Sequence, residues 1–188
     1  MAMGTLRGTL VLDTPDGQIT ILDEPSYSFG SADNLRAYDN EMRLHNERLT
    51  SVHGVRVDGR WSAILGAGAG PSTVHQHSAI AVEGRLYLAV GNQMVCLNLA
   101  TGSSEWSRRV DWATCFGVHW DALHRALISH GELQISRLSL AGDELWSAEG
   151  ADIFTGGFQC LRDGIEAIDF NQSVYLFDYR TGTLITRK

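Results

Sequence analysis

The chain has 188 residues, 44% of them apolar and 20% charged, with a formal net charge of −7. That size suits one domain or one compact array, the composition can bury a core, and no apolar run approaches the ~18 residues of a membrane helix. The acidic balance and scattered basic residues argue against nucleic acid or an anionic membrane as the main partner, because phosphate recognition needs clustered Lys and Arg.

Cys96, Cys115 and Cys160 make an odd count without C-x-x-C spacing, so buried free thiols are expected rather than a disulfide framework or a zinc knuckle. That fits a reducing compartment. The first residues lack the continuous apolar core of a secretory leader, and a cytoplasmic protein is the expectation.

In chain order, the first feature is a hairpin around Gly17, with Asp13 and Ile21 four residues to either side. It reads as the trace of a partial repeat, 1–22. The stretch from Ser31 to Leu49 places Leu35, Tyr38, Met42, His45 and Leu49 at helical spacing behind an Asp33 cap. It reads either as a short helix or as strands, and is the longest departure from the pattern around it. "VRVDGRWS", Val55–Ser62, fits two registers, as the outer turn of a divergent unit 23–66 or as its second hairpin.

From there the periodicity is plain. Gly102, Gly142 and Gly182 are spaced by 40 and 40, and Trp106 and Trp146 each follow their glycine by four residues. A second hairpin, around 81–91, 121–131 and 161–171, recurs at the same spacing. The best copy reads as strands 74–80, 85–90, 94–99 and 104–108. An Asp or Asn at the turn start bonds its own backbone, glycine accepts positive φ, and the returning strand carries an indole into the gap between units. No single unit supplies both walls of that slot, and this is the physical reason for repetition. The predicted fold is therefore all-β: tandem four-stranded antiparallel repeats forming a small β-propeller of four to five blades in one domain, 1–188. Complete units span 67–107, 108–148 and 149–188. An open arc would expose strand edges, so a closed ring or a homodimer sealing the gap is expected.

"CLNLATGSSEW" resembles the tryptophan-docking motif of PQQ-like β-propeller repeats, with WD40-like rings as the wider class. The match is good at Asn98, Thr101, Gly102 and Trp106, and partial at Gly142 and Trp146. At Asp178, Thr181 and Gly182 the tryptophan is lacking. The resemblance implies a fold and, by analogy, a non-catalytic protein-binding scaffold. The quinone-dependent dehydrogenases of that kind have about twice as many blades, a cysteine pair and a calcium site. None of the three is offered here, so no cofactor is implied. The relatives in outer-membrane assembly carry an export signal that is missing too.

Histidine is the first place to look for chemistry. "STVHQHSAI" places His75 and His77 on one face of an inner strand, and a shift of about 40 brings His119 to the same channel mouth. These three are the candidate metal ligands, and the basis of an alternative reading as a channel-mouth ligand-binding protein or enzyme. Polar filling of a narrow wet channel is the plainer explanation. Asp111, Asp152, Glu166 and Asp169 are candidates only in being acidic near strand ends, and turn capping explains the first two. No G-x-S-x-G elbow or phosphate loop occurs, so no catalytic residue is assigned. Trp61, Trp112 and Trp120 stand outside the expected docking positions, and Trp112 and Trp120 are the candidate binding residues at the ends of an inner strand.

Overall fold

A computed structural model describes residues 8–15, 17–44 and 48–188. The described residues form four sheets and no helix. The first contains β1 (Thr9–Thr14), β2 (Gly17–Asp23), β3 (Asn40–Arg43), β4 (Ser51–Val57) and β5 (Trp61–Ala67), in the order β1-β2-β4-β5-β3. The second holds β6 (Ala79–Val82), β7 (Arg85–Val90), β8 (Gln93–Asn98) and β9 (Ser104–Arg109). The third holds β10 (Cys115–Asp121), β11 (Ala126–Gly131), β12 (Gln134–Leu138) and β13 (Glu144–Glu149). The fourth holds β14 (Phe158–Cys160), β15 (Gly164–Ile168), β16 (Val174–Asp178) and β17 (Leu184–Arg187). Each of the last three is an antiparallel meander in chain order.

Alternation along the strands supplies both faces of a sheet. In β8, Val95 and Leu97 join a core shared with the first sheet, while Met94 and Cys96 join a core shared with the third. In β11, Leu127 faces back to the second sheet and Ile128 forward to the fourth. Side chains two apart share a face and neighbours oppose, so a fully apolar strand such as MVCL is buried on both sides. Three apolar cores thus join four sheets.

Each seam is closed by the same device. The Trp61 indole donates from Nε1 to Leu99 O at 2.9 Å, Trp106 to Leu140 O at 3.1 Å, and Trp146 to Tyr179 O at 2.9 Å. Each ring lies flat against a glycine of the next sheet, Gly102, Gly142 and Gly182, whose φ values are 74°, 87° and 69°. The turns are built as their residue types require. Asn98 Oδ1 accepts from Ala100 N and Thr101 N, and Asp178 Oδ1 from Arg180 N and Thr181 N. In the middle copy, Ser139 replaces them: its hydroxyl accepts from Asp143 N and its carbonyl from Gly142 N.

These glycines are constrained twice, by positive φ and by the indole. A Cβ at Gly142 would come 2.7 Å from the Trp106 ring, whereas one at Gly59 (φ 68°) would meet nothing within 4 Å. Gly59→Ala should therefore cost only the left-handed strain, about 1 kcal/mol. Gly142→Ala should cost at least about 2 kcal/mol more, because the indole must leave its slot. Urea denaturation of the pair measures the difference, and equal losses would refute the docking account.

The first sheet corrects three expectations. The hairpin 1–22 and the segment 51–67 are not separate units: β2 pairs with β4, Ile19 opposite Val57 and Ile21 opposite Val55, across the intervening segment. The turn at Gly17 joins β1 to β2, and so matches the β6–β7 turn rather than the docking turns. Val57–Trp61 is an outer turn, which settles the register of 55–62, and Trp61 is itself a docking tryptophan.

The segment between β2 and β4 forms no helix among its described residues; His45 lies outside them. Its short strand β3 runs parallel along β5, Met42 opposite Leu65. The remainder covers the face of the first sheet turned away from the second. The Tyr38 ring fills the space over Gly54, and Phe29 and Leu49 that over Gly66. Arg56 lies over the Tyr38 ring at 5.0 Å, and Asp39 Oδ2 accepts from Ser62 N at 2.7 Å. The buried Glu24 accepts from Tyr38 at 2.7 Å and pairs with Arg36 at 3.1 Å. The departure from the repeat is thus a cap on an otherwise open sheet face.

Candidate functional site

The strands β1, β6 and β10 are the first of their sheets and lie side by side, so their two ends define two mouths. At the end where β6 and β10 begin, His75, His77, Phe116, His119, His130, Phe154 and Thr155 line a cavity of about 270 Å³. At the opposite end, Leu12–Pro15, Ile80–Gly84, Leu99 and Trp120 line a groove of about 470 Å³.

His75 and His77 are not on an inner strand, as the alternation reading placed them. They occupy the turn leading into β6, which starts only at Ala79. The reason lies in the local bonds: His75 N donates to Ser78 Oγ and Ser78 N to His75 O, each at 2.9 Å, which closes a turn. Both nitrogens of His75 are engaged, Nε2 with Phe116 O at 2.6 Å and Nδ1 accepting from His77 N at 3.2 Å. Opposite this turn, Gly117 leaves the space that His77 fills, and Val118 N donates to His77 O at 2.8 Å.

The structure does bring His75, His77 and His119 to one mouth, but ring against ring. The His77 and His119 centroids are 4.6 Å apart, His119 is 4.5 Å from Phe158, and Phe158 stacks on His130 at 4.5 Å and 14°. Among the described residues no group of three His, Cys, Asp or Glu is gathered so as to hold a metal ion. Burial, aided by the neighbouring imidazoles, pushes the His119 pKa down to about 3. Burial pushes His130 down to about 4 against the opposing bond to the Phe154 backbone, and lowers His77 as well. His77, His119 and His130 are therefore neutral at pH 7. His119 Nε2 and His130 Nε2 are buried without a hydrogen-bond partner.

His130 and Phe158 were not singled out from sequence. His130 stands opposite Gly117 across β10 and β11, a pairing that only the structure reveals. Trp120 stands near the end of β10 in the groove at the other mouth, part-buried against the core between the second and third sheets. Trp112 lies elsewhere, in the β9–β10 loop, 59% exposed with the Arg109 guanidinium 3.5 Å over its ring. The two tryptophans therefore do not form one surface.

Asp111, Asp152 and Asp169 bond backbone groups and neighbouring side chains. Buried Asp111 accepts from Ala113 N at 2.6 Å and from Leu133 N and Gln134 N at 2.9 Å, tying the β9–β10 loop to the β11–β12 turn. Asp152 caps Ile153 N, and Asp169 accepts from Ser173 N and the Tyr175 hydroxyl.

No family model matches the chain, and no curated protein matches it. Among solved structures it is similar to BamB from Moraxella catarrhalis, at 14% identity and a TM-score of 0.52, over 100% of this chain and 79% of that one. It is similar to the computationally designed Ika8 protein at 12% identity and a TM-score of 0.54, over 98% of this chain and 60% of that one. It is also similar to the quinohemoprotein alcohol dehydrogenase ADHIIG from Pseudomonas putida HK5, at 17% identity and a TM-score of 0.50, over 64% of this chain. The chain spans 20% of that enzyme's length. At such identities the likeness is one of fold. The fold is the all-β, propeller-type array of antiparallel sheets that the repeat predicts.

Proposed function

We propose that this chain is a non-catalytic protein-binding scaffold of the cytoplasm, holding an extended segment of a partner protein in the groove at the turn-end mouth. The observation that carries this reading is the chemistry of that groove. Its walls are apolar, from Leu12, Ile80, Val82, Leu99 and the Trp120 ring, and its lip carries the Asp13 carboxylate beside the Glu83–Arg125 ion pair. A large apolar side chain flanked by a basic residue fits such a surface, and an indole set in a pocket is the kind of anchor that dominates protein interfaces. The net charge of −7 favours a basic partner and disfavours nucleic acid and anionic membranes. Cys96 and Cys115 are buried free thiols, as expected, while Cys160 is an exposed one, and free thiols suit a reducing compartment.

The test is capture of partners from extract of the native cell, comparing wild type with Trp120→Arg and Trp112→Ala. Trp120→Arg should weaken capture tenfold or more, on the order of an interface hot spot, while Trp112→Ala leaves it unchanged. Capture of the same protein at equal strength by Trp120→Arg would refute the assignment of the groove.

A further inference from the structure

The two end faces of the array differ. The rear face of the first sheet is sealed by Tyr38, Phe29 and Leu49, which fill the space over Gly54 and Gly66. The front face of the fourth sheet, turned away from the third, has no such cover among the described residues. Ile165, Ala167, Tyr175 and Phe177 point back into the core shared with the third sheet, so by alternation Glu166, Ile168, Val174 and Leu176 point forward. Ile168, Val174 and Leu176 belong to none of the three cores and are only part-buried. What cover they have is local: Ile168 lies against Gly156 and Gly157, and Leu176 against Gly164. Cross-strand pairing brings Thr186 and Lys188 onto the same face, opposite Leu176 and Val174. Thr186 stands 40 residues after Trp146, where the next docking tryptophan would be, so no indole is offered forward.

We propose that this face is where a second copy of the chain docks, front to front about a two-fold axis. A head-to-tail contact, fourth sheet on first, is obstructed by the cap. A second copy is left with the same face to offer, and a patch used twice closes as a dimer. The patch is also complementary to itself. Ile168, Val174 and Leu176 form its apolar middle, with Glu166 on β15 and Lys188 on β17 diagonally to either side. Neither charge has an ion-pair partner among the described residues. An axis through the point between Val174 and Leu176 sets Ile168 over Val174 of the other copy, and each Glu166 beside the other Lys188. Four strands spaced ~4.8 Å and about five residues long make a footprint of roughly 300 Å² per copy. That puts the contact near or below the ~1,000 Å² lower bound of specific interfaces, so the dimer is reversible.

Sedimentation velocity of the full chain tests this. The wild type should pass from monomer to dimer with rising concentration, half-associated on the order of 10–100 µM. Leu176→Arg should raise the dissociation constant at least tenfold. Glu166→Lys and Lys188→Glu, which set like charges against each other across the axis, should each raise it about fivefold, and the double variant should return to within about twofold of wild type. Glu166 and Lys188 lie two strands apart in one chain, so that rescue arises between copies. The charge variants, at the rim of the face, keep the test decisive should urea denaturation show Leu176→Arg to be poorly folded. A wild type that stays monomeric up to about 500 µM would overturn the proposal. So would a folded Leu176→Arg that dimerises like wild type, or a double variant no stronger than the single ones. Trp120 lies in another sheet, so partner capture through the groove and dimerisation through this face fail independently.

Discussion

Trp146→Ala should lower the free energy of unfolding by about 3–5 kcal/mol, the range of large aromatic truncations in a core. Three losses combine. The buried indole surface is gone, the slot against Gly182 cannot collapse because its far wall belongs to another sheet, and Tyr179 O loses its donor. Trp61→Ala should cost a similar amount, since Trp61 is equally buried and bonds Leu99 O at the same 2.9 Å. Trp112→Ala, at an exposed ring, should cost less than about 1 kcal/mol. Urea denaturation of the three variants checks the ranking. A Trp146→Ala loss no larger than that of Trp112→Ala would mean that the seams are held by something other than the indoles.

The second large effect is acid lability. Burial lowers the pKa of His53 to about 4, of His130 to about 4 and of His119 to about 3, against an ordinary value near 6.5. For such a group the unfolded chain binds the proton first. Its contribution to stability is intact above pH 6.5 and is lost as the pH falls toward the folded value. Over the step from 6.5 to 5 each of these histidines removes up to about 2 kcal/mol, so the combined loss rivals the ~5–15 kcal/mol of a typical domain. Asp23 and Asp111, whose pKa values burial raises, act with the opposite sign and soften the fall. The midpoint of urea unfolding should therefore drop steeply between pH 7 and 5. His119→Phe keeps the ring contacts with His77 and Phe158 and removes one titrating group, so its midpoint should vary less over that range. A flat wild-type profile would show that these rings are reached by water.

How far the sequence carried differs between the repeat and the site. The 40-residue spacing of Gly102, Gly142 and Gly182 was legible because each glycine answers a local demand, positive φ, and a neighbour's demand, room for an indole. Trp61 escaped the pattern because its turn is shorter: it follows Gly59 by two residues where Trp106 and Trp146 follow theirs by four. Register counted from glycine then misses it, although the docked geometry is the same. The first sheet was divided in two for a different reason. Strand pairing across an insertion leaves no local trace, and only the β-branched residues of "QITI" and "HGVRV" hint that β2 and β4 belong together. The helical spacing of Leu35, Tyr38 and Met42 misled because the three side chains have unrelated surroundings: Leu35 is exposed, Tyr38 covers Gly54, and Met42 packs against the core between the first and second sheets. At the histidine mouth, position in the repeat gathered His75, His77 and His119 correctly, while the second strand of the third unit, which carries His130, was left out.

The one-way character of the seams has a practical corollary. Each tryptophan reaches forward in the chain to a glycine turn, so a module from about 110 to 149 carries both a ring to offer and a turn to receive one. A duplicate of that module spliced in after residue 149 would receive the original Trp146 on its own copy of Gly142 and present its own indole to Gly182. The array is extensible in its middle. At its beginning extension is blocked, because Tyr38 and Phe29 already occupy the surface onto which a preceding module would have to fit.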